Sequence, residues 1–260
     1  MTVAAPPSVL ICAGLDPSGG AGLLADARVV TALGARPVGV VTALTVQSTA
    51  GVMGVRPVDP EVVRDQLELL LTDVEVRAVK LGMLGSADIA QAVGAALHYT
   101  SAPLVWDPVL VSSRGSVPLF AGDLGASFLA LVPHLTLLTP NARELALLAR
   151  REVTDLDSAV IAAEALAAEL GCAVLVKGGH LPGGEAIDVV VQAGRRDELA
   201  GLRLPGGEDV HGTGCALATA IAAHLARGTA LVDACRAAKA YVAALIAAPV
   251  RPGRGAAAVL

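Results

Sequence analysis

The stretch SVLICAGLDPSGGAGLLADARVVTALG, residues 8–34, contains the fold in miniature. Its first six residues, SVLICA, form a short apolar run without polar alternation, the pattern of a strand buried on both faces. A glycine-rich turn follows. From Gly22 the apolar spacing becomes helical, and Gly34 supplies a stop signal. Strand, glycine turn and helix together make the repeating unit of a parallel sheet covered by helices.

The alternation continues downstream. Residues 38–42, 76–81, 104–106, 136–138 and 173–176 read as buried strands. Helical patterns lie between them at 60–71, 86–98, 123–131, 141–150 and 157–170, the first with Asp59 as N-cap and Pro60 in its first turn. Residues 187–191 and 199–202 are close enough to form an antiparallel edge. Helices at 212–227 and 231–248 finish the pattern, and 249–260 reads as a loose tail. No repeat or composition break interrupts it, so the expectation is one α/β domain over 1–260, with its core at about 8–248. Ligands in such folds bind beyond the carboxyl ends of the strands, so chemistry belongs in the loops that follow them.

Composition narrows the class. A chain of 260 residues buries roughly three quarters of its unfolded surface and needs no staple to fold. Only 2% of residues are aromatic, so the core is built from Ala, Val and Leu and offers no stacking platform for bases. The net charge of -5 also argues against a nucleic-acid partner. Cys12, Cys172, Cys215 and Cys235 are widely separated with no C-x-x-C pair, which suits reduced thiols. No basic segment precedes an apolar run at the start, and apolar runs break before the roughly 18 residues of a membrane span. The expected setting is cytoplasmic, with no membrane partner.

The loops after the strands hold the unusual residues. Gly14 to Gly22 follows the first strand and opens a helix, where backbone approaches a ligand closely and an anionic or polar group is favoured. Residues 20–25, GAGLLA, match a dinucleotide fingerprint in form, but residues 38–45 lack the acidic partner it requires, and no G-x-x-x-x-G-K-[ST] occurs. Asp26 lies on an otherwise apolar helix and by itself reads as a solvated face carboxylate; Gln47 and Met83 follow strands as loop polarity or core filler. Asp107 stands at a strand's carboxyl end. Asn141 and Glu144 have capping-box spacing, with Mg²⁺ binding as the functional alternative. Lys177 opens a glycine-rich loop suited to a phosphate. His211-Gly212-Thr213-Gly214-Cys215 starts a helix, whose N–H groups form an anion hole and whose dipole would lower the Cys215 thiol pKa. On local grounds a small buried cysteine is the leading reading of Cys215, and a zinc site with His211 is disfavoured because no second ligand pair is present.

Seven segments in order resemble the ribokinase-like superfamily, and within it the hydroxymethylpyrimidine/phosphomethylpyrimidine kinases of thiamine synthesis: GLDPSGGAGLLAD, TALTVQST, KLGML, WDPVL, TPNARE, VKGGH and HGTGC, spread over residues 14–215. The resemblance runs from about Val9 to Ala248. It implies a three-layer ribokinase-like fold with a mostly parallel central sheet and helices on both faces, ATP and Mg²⁺ as cofactors, a small pyrimidine substrate and a homodimer. It further implies that Gly14, Asp26, Gln47, Met83 and Val109 line the pyrimidine pocket, with Asp26 and Gln47 on the ring's polar edge. Asp107 and Glu144 would arrange Mg²⁺ through water, Lys177 would meet the nucleotide phosphates, and Gly212, Thr213 and Gly214 would form the anion hole. Cys215 would take the substrate hydroxyl's proton. The chain departs from the family pattern at Leu15, Ser112-Ser113-Arg114, Asp209-Val210 and Ala216. Other readings are a pyridoxal or pyridoxine kinase of the same superfamily, a dinucleotide-dependent oxidoreductase, and a catalytically silent binding regulator.

Overall fold

The apolar strands are explained by what covers them. The computed structural model describes residues 5–110 and 117–259, so the departure at Ser112-Ser113-Arg114 lies outside the described residues. In chain order the elements are β1 (Ser8–Leu15), α1 (Gly22–Ala32), β2 (Arg36–Ser48), β3 (Gly51–Pro57), α2 (Pro60–Asp73), β4 (Val76–Leu81) and α3 (Ala87–Ala96). There follow β5 (Leu104–Trp106), α4 (Leu124–Leu131), β6 (Leu135–Leu138), α5 (Ala142–Ala149), α6 (Leu156–Leu170) and β7 (Ala173–Val176). The last are β8 (Asp188–Gln192), β9 (Arg195–Leu199), α7 (Thr213–Ala226) and α8 (Leu231–Ala247). The strands form one sheet in the order β3-β2-β1-β4-β5-β6-β7-β8-β9, parallel from β2 through β7 and antiparallel at both edges.

Alternate residues of β1 enter two separate cores. Leu10 and Cys12 face helices α2 to α6, packing with Val63, Ile89, Leu131, Leu145 and Leu166. Val9, Ile11 and Ala13 face α1, α7 and α8, packing with Val30, Ile221 and Ala238. A strand covered on both sides cannot alternate in polarity, which is why these runs read as continuously apolar.

Three segments differ from the sequence reading. β2 runs far past residue 42, because its second half leaves β1 and pairs with β3, a strand the sequence did not announce. The outer edge strand β9 lies at Arg195–Leu199 rather than 199–202; an edge strand exposed on one side tolerates the charges of RRDEL. The segment 249–259 is not loose: Ala256, Ala258 and Val259 are buried, and its backbone bonds to two distant loops.

Candidate active site

The loops after β1, β4, β5, β6 and β7 meet the starts of α1 and α7 at one end of the sheet. The β1 turn is organised by Asp16, whose Oδ1 accepts from the Ser18 backbone N–H at 2.8 Å and hydroxyl at 2.7 Å, and whose Oδ2 accepts from the Ala21 N–H at 3.1 Å. Burial raises the Asp16 pKa, but bonds from His211 and Ser18 outweigh it and hold the carboxyl below its ordinary value. Gly22 has φ +62°, and a Cβ there would run into the Gly14 carbonyl oxygen, so only glycine lets α1 begin so tightly against β1.

Helix α7 starts in a similar way. Gly212 takes φ +85° where a Cβ would meet the Gly20 carbonyl, and no side chain caps the helix. Its first N–H groups are therefore open to a ligand oxygen, with the helix dipole behind them. The Gly214 backbone faces two charged groups: a Cβ there would lie 3.6 Å from Lys177 Nζ and 3.7 Å from Asp107 Oδ2. Lys177 Nζ donates to Asp107 Oδ1 at 3.3 Å. Burial, the largest influence on Lys177, disfavours its charge, but Asp107, Glu144 and Cys215 together hold its pKa above the ordinary value. Glu144 caps α5 reciprocally with Asn141, accepting the Asn141 N–H at 2.8 Å. Burial, with Asp107 nearby, raises the Glu144 carboxyl to about 7 against the pull of Lys177. The capping alternative for Glu144 is seen directly, and the same carboxyl lies close enough to Lys177 and Asp107 to feel their charges.

Near the end of β1 lies a small apolar cluster. Ala43, Met83 and Leu119 pack together, joined by Val52, Val55 and Val109. Gly14 touches the Met83 side chain, and the Thr42 hydroxyl donates to the Met83 carbonyl at 2.5 Å. Gln47 lies half-buried on β2, on the face shared with Ala43 and Thr45, and pairs across the hairpin with Val52. Gly14, Met83 and Val109 thus share one apolar cluster, and Gln47 pairs with one of its members, Val52.

Two expectations are corrected. Asp26 is neither a solvated carboxylate nor open to a ring. It is fully buried, its Oδ2 bonded to Lys80 Nζ at 2.6 Å and its Oδ1 to the Thr219 hydroxyl at 2.7 Å. Burial raises its pKa, while Lys80 and Thr219 pull it down. Lys80 is buried too; desolvation opposes its charge, but Asp26, Cys215 and Asp107 keep it ionised. The Cys215 thiol is the second correction. Burial pushes it up to about 12, Asp107 and Asp26 add to the rise, and Lys80 with the Gly22 N–H only partly offset it. Desolvation of the charged form outweighs the helix start.

Arg203 had no sequence signal. Its guanidinium donates to the carbonyls of Gly183 at 3.1 Å, Gly179 at 2.5 Å and Leu181 at 2.6 Å, and more weakly to those of Gly178 and Glu185 at 3.3 Å. One side chain thereby braces the loop that follows Lys177. Among the described residues no three His, Cys, Asp or Glu side chains gather as a metal site, so the zinc reading of His211 and Cys215 is without support. Among the described residues no helix is long and apolar enough to cross a membrane. Of the family departures, Leu15 ends β1 and accepts the Thr45 hydroxyl at 2.9 Å, Val210 is buried beside the anion loop, and Ala216 is buried in α7.

Comparison with known proteins agrees with this geometry. The profile of a family described as phosphomethylpyrimidine kinase matches residues 16–260. A hydroxymethylpyrimidine/phosphomethylpyrimidine kinase from Streptomyces coelicolor is 41% identical, covering 96% of this chain and 92% of the relative. A crystal structure of phosphomethylpyrimidine kinase from Clostridium difficile superposes with a TM-score of 0.77 at 30% identity, over 93% of this chain and 99% of that one. Pyridoxal kinase from Staphylococcus aureus in complex with pyridoxal gives a TM-score of 0.87 at 28% identity, over 99% and 94% of the two chains. The chain belongs to the phosphomethylpyrimidine kinase family and is a phosphotransferase with the ribokinase-like fold.

Proposed function

We propose that this enzyme transfers the terminal phosphate of ATP to the hydroxyl of 4-amino-5-hydroxymethyl-2-methylpyrimidine, and then a second phosphate to the resulting monophosphate, in thiamine synthesis. The observation that carries this reading is that Lys177 and Asp107 face Gly214 at the uncapped start of α7, while Gly14, which touches Met83 of the apolar cluster, backs onto Gly22 at the start of α1. A flat, weakly polar ring would lie against Gly14, Met83 and Val109, with Gln47 on its polar edge. Asp26 acts on the site through Lys80 rather than through the ring.

The two buried carboxylates of Asp107 and Glu144 suit Mg²⁺, which is commonly held by one or two carboxylates together with phosphates and water. Asp107 and Glu144 would hold it, and its charge would neutralise the phosphates. Lys177, kept ionised, meets the transferring phosphate, and the N–H groups of Gly212, Thr213 and Gly214 receive its oxygens. The hydroxyl oxygen forms the new bond to phosphorus as the bond to ADP breaks, and its proton goes to the Cys215 sulfur where that sulfur has first lost its own proton and stands as thiolate. Because burial keeps that thiol protonated in the free site, the proton step contributes less than positioning does.

The outer face of the β2–β3 hairpin exposes Leu44, Val46 and Met53, the last at 83%, which favours a homodimer joined there; light scattering of the purified protein measures its mass. A cytoplasmic setting fits the same reading. The decisive assay is product mass after incubation with Mg-ATP and either the pyrimidine, its monophosphate or pyridoxal. Mono- and diphosphate from the pyrimidine support the proposal. Preferred phosphorylation of pyridoxal overturns it in favour of the second reading, which the likeness to the Staphylococcus aureus enzyme keeps in view.

A further inference from the structure

The segment 249–259 ties together the two sides of the site. Val250 and Ala258 exchange backbone bonds at 3.0 and 2.8 Å, folding the segment back on itself. Its outer bend lies on the turn of the β2–β3 hairpin, where the Gly255 N–H donates to Thr49 Oγ1 at 3.1 Å and the Ala256 N–H to the Thr49 carbonyl at 2.9 Å. Its returning arm lies on the anion loop: the His211 N–H donates to the Ala257 carbonyl at 2.8 Å, and the Val259 N–H to the His211 carbonyl at 3.1 Å. Thr49 is two residues beyond Gln47, in the turn that closes the hairpin, and His211 immediately precedes Gly212. Adjacent residues Ala256 and Ala257 therefore join the ring side of the site to the phosphate side.

The approach is close at the hairpin end. A Cβ on Gly255 would overlap the Thr49 carbonyl, and one on Gly253 would sit 2.6 Å from Thr49 Oγ1. At the other end Ala258 and Val259 press on Gly20 and Gly212, the glycines that open the two phosphate-side turns. Among the described residues the hairpin strands beyond Leu44 pair in the sheet only with each other, and the bonds from 249–259 at Thr49 add a support at the tip.

We propose that Thr49 and Gly255 are positioning residues: the segment 249–259 is a strap that sets the distance between Gln47 and the anion loop, and so seats the pyrimidine hydroxyl against the transferring phosphate. This rests on the placement of Gln47 at the ring. Displacement of about 1 Å at a reacting pair lowers rates by roughly a hundredfold, so a slackened hairpin is felt at the substrate.

The test compares Gly255→Ala, Thr49→Val, Thr49→Ser and Gln47→Ala in the full chain, with KM for the pyrimidine, KM for ATP, kcat and melting temperature. The expected result is a rise of about tenfold in pyrimidine KM for Gly255→Ala and a smaller rise for Thr49→Val, each with ATP KM within about twofold of the parent. Thr49→Ser, which keeps the hydroxyl, restores the parent value. Unchanged pyrimidine KM in Gly255→Ala and Thr49→Val beside a raised value in Gln47→Ala overturns the strap and leaves the ring contact standing. Unchanged KM in Gln47→Ala overturns the ring contact, and the strap's role with it. Equal changes in both KM values that follow the melting temperature, with no rescue by serine, also overturn the strap. If Gly255→Ala does not fold, the Thr49 pair decides.

Discussion

Asp26→Asn removes one charge from an ion pair that water does not reach. Both side chains are fully buried, 2.6 Å apart, and the second carboxylate oxygen is taken by Thr219. The substitution preserves shape, so no cavity forms and the loss is electrostatic. Removing one member of a buried pair destabilises by about 3–5 kcal/mol, a large share of the roughly 5–15 kcal/mol that holds a domain folded. Lys80 can then shed its proton, its pKa falling below the unfolded value. The folded state would bind fewer protons than the unfolded one, so the variant regains stability as pH rises from about 7 towards 10. Asp26→Leu combined with Lys80→Met leaves no charge behind, only a Thr219 hydroxyl without its acceptor, which costs about 1–3 kcal/mol. The double variant is thus expected to be more stable than Asp26→Asn at neutral pH. Equilibrium urea unfolding at several pH values measures both, with pyrimidine KM measured in parallel. A loss below about 1 kcal/mol in Asp26→Asn together with a large rise in pyrimidine KM would refute this reasoning and return Asp26 to the ring.

Arg203→Met withdraws every donor from the loop after Lys177 and is expected to raise ATP KM about tenfold with pyrimidine KM little changed, as one charged hydrogen bond's worth of positioning is lost; equal change in both would sink it. Glu144, raised to about 7, binds a proton more tightly folded than unfolded, so its contribution to stability is present below pH 4.5 and fades as pH climbs towards 7. Glu144→Gln should flatten that slope in thermal melts across this window, and a slope identical to the parent's would mean another group is responsible. Cys215→Ala should lower kcat by about 10²- to 10⁴-fold with nucleotide binding nearly intact, and parental turnover would exclude the base role. Because the thiol lies near 12, kcat in the parent should also climb with pH through the neutral range, and this rise should be absent from the alanine variant.

The sequence made the parallel sheet legible because its strands are covered on both faces, and it placed the site loops because each follows such a strand. What it missed is local or long-range in a particular way. β3 reads GVMGVRP, too glycine-rich and too exposed to show a buried run, and only its partner β2 holds it straight. Asp26 looked solvated because its neutralising partners lie 54 and 193 residues away, and no periodicity in α1 reveals them. Arg203 lies 18 to 25 residues from the carbonyls it serves, in a stretch with no motif. The segment 249–259 looked loose because Pro, Gly and Arg dominate its start, yet its glycines are there to approach Thr49, a reason visible only with the hairpin in place.

The scarcity of large side chains and the geometry of the site share a cause. Helices α1 and α7 lie side by side, linked by two rungs one helical turn apart: the approach of Cys215 to the Gly22 turn, and the hydrogen bond from the Thr219 hydroxyl to Asp26 at 2.7 Å. Residues four apart share a helix face, so each helix presents both of its members together. Rungs this short require close backbones, and the buried face of α7 is accordingly built on Ala216, Ala218, Ala220, Ala222 and Ala223. The same closeness brings two helix N-termini to one place, with the Lys80 charge near them. A thiol that burial keeps protonated is a weak base, but a fixed pair of helix starts is already arranged for the charge of a transferring phosphate. An alanine-built interior thus does more than fill space, because bulkier packing would separate the rungs and the anion hole together.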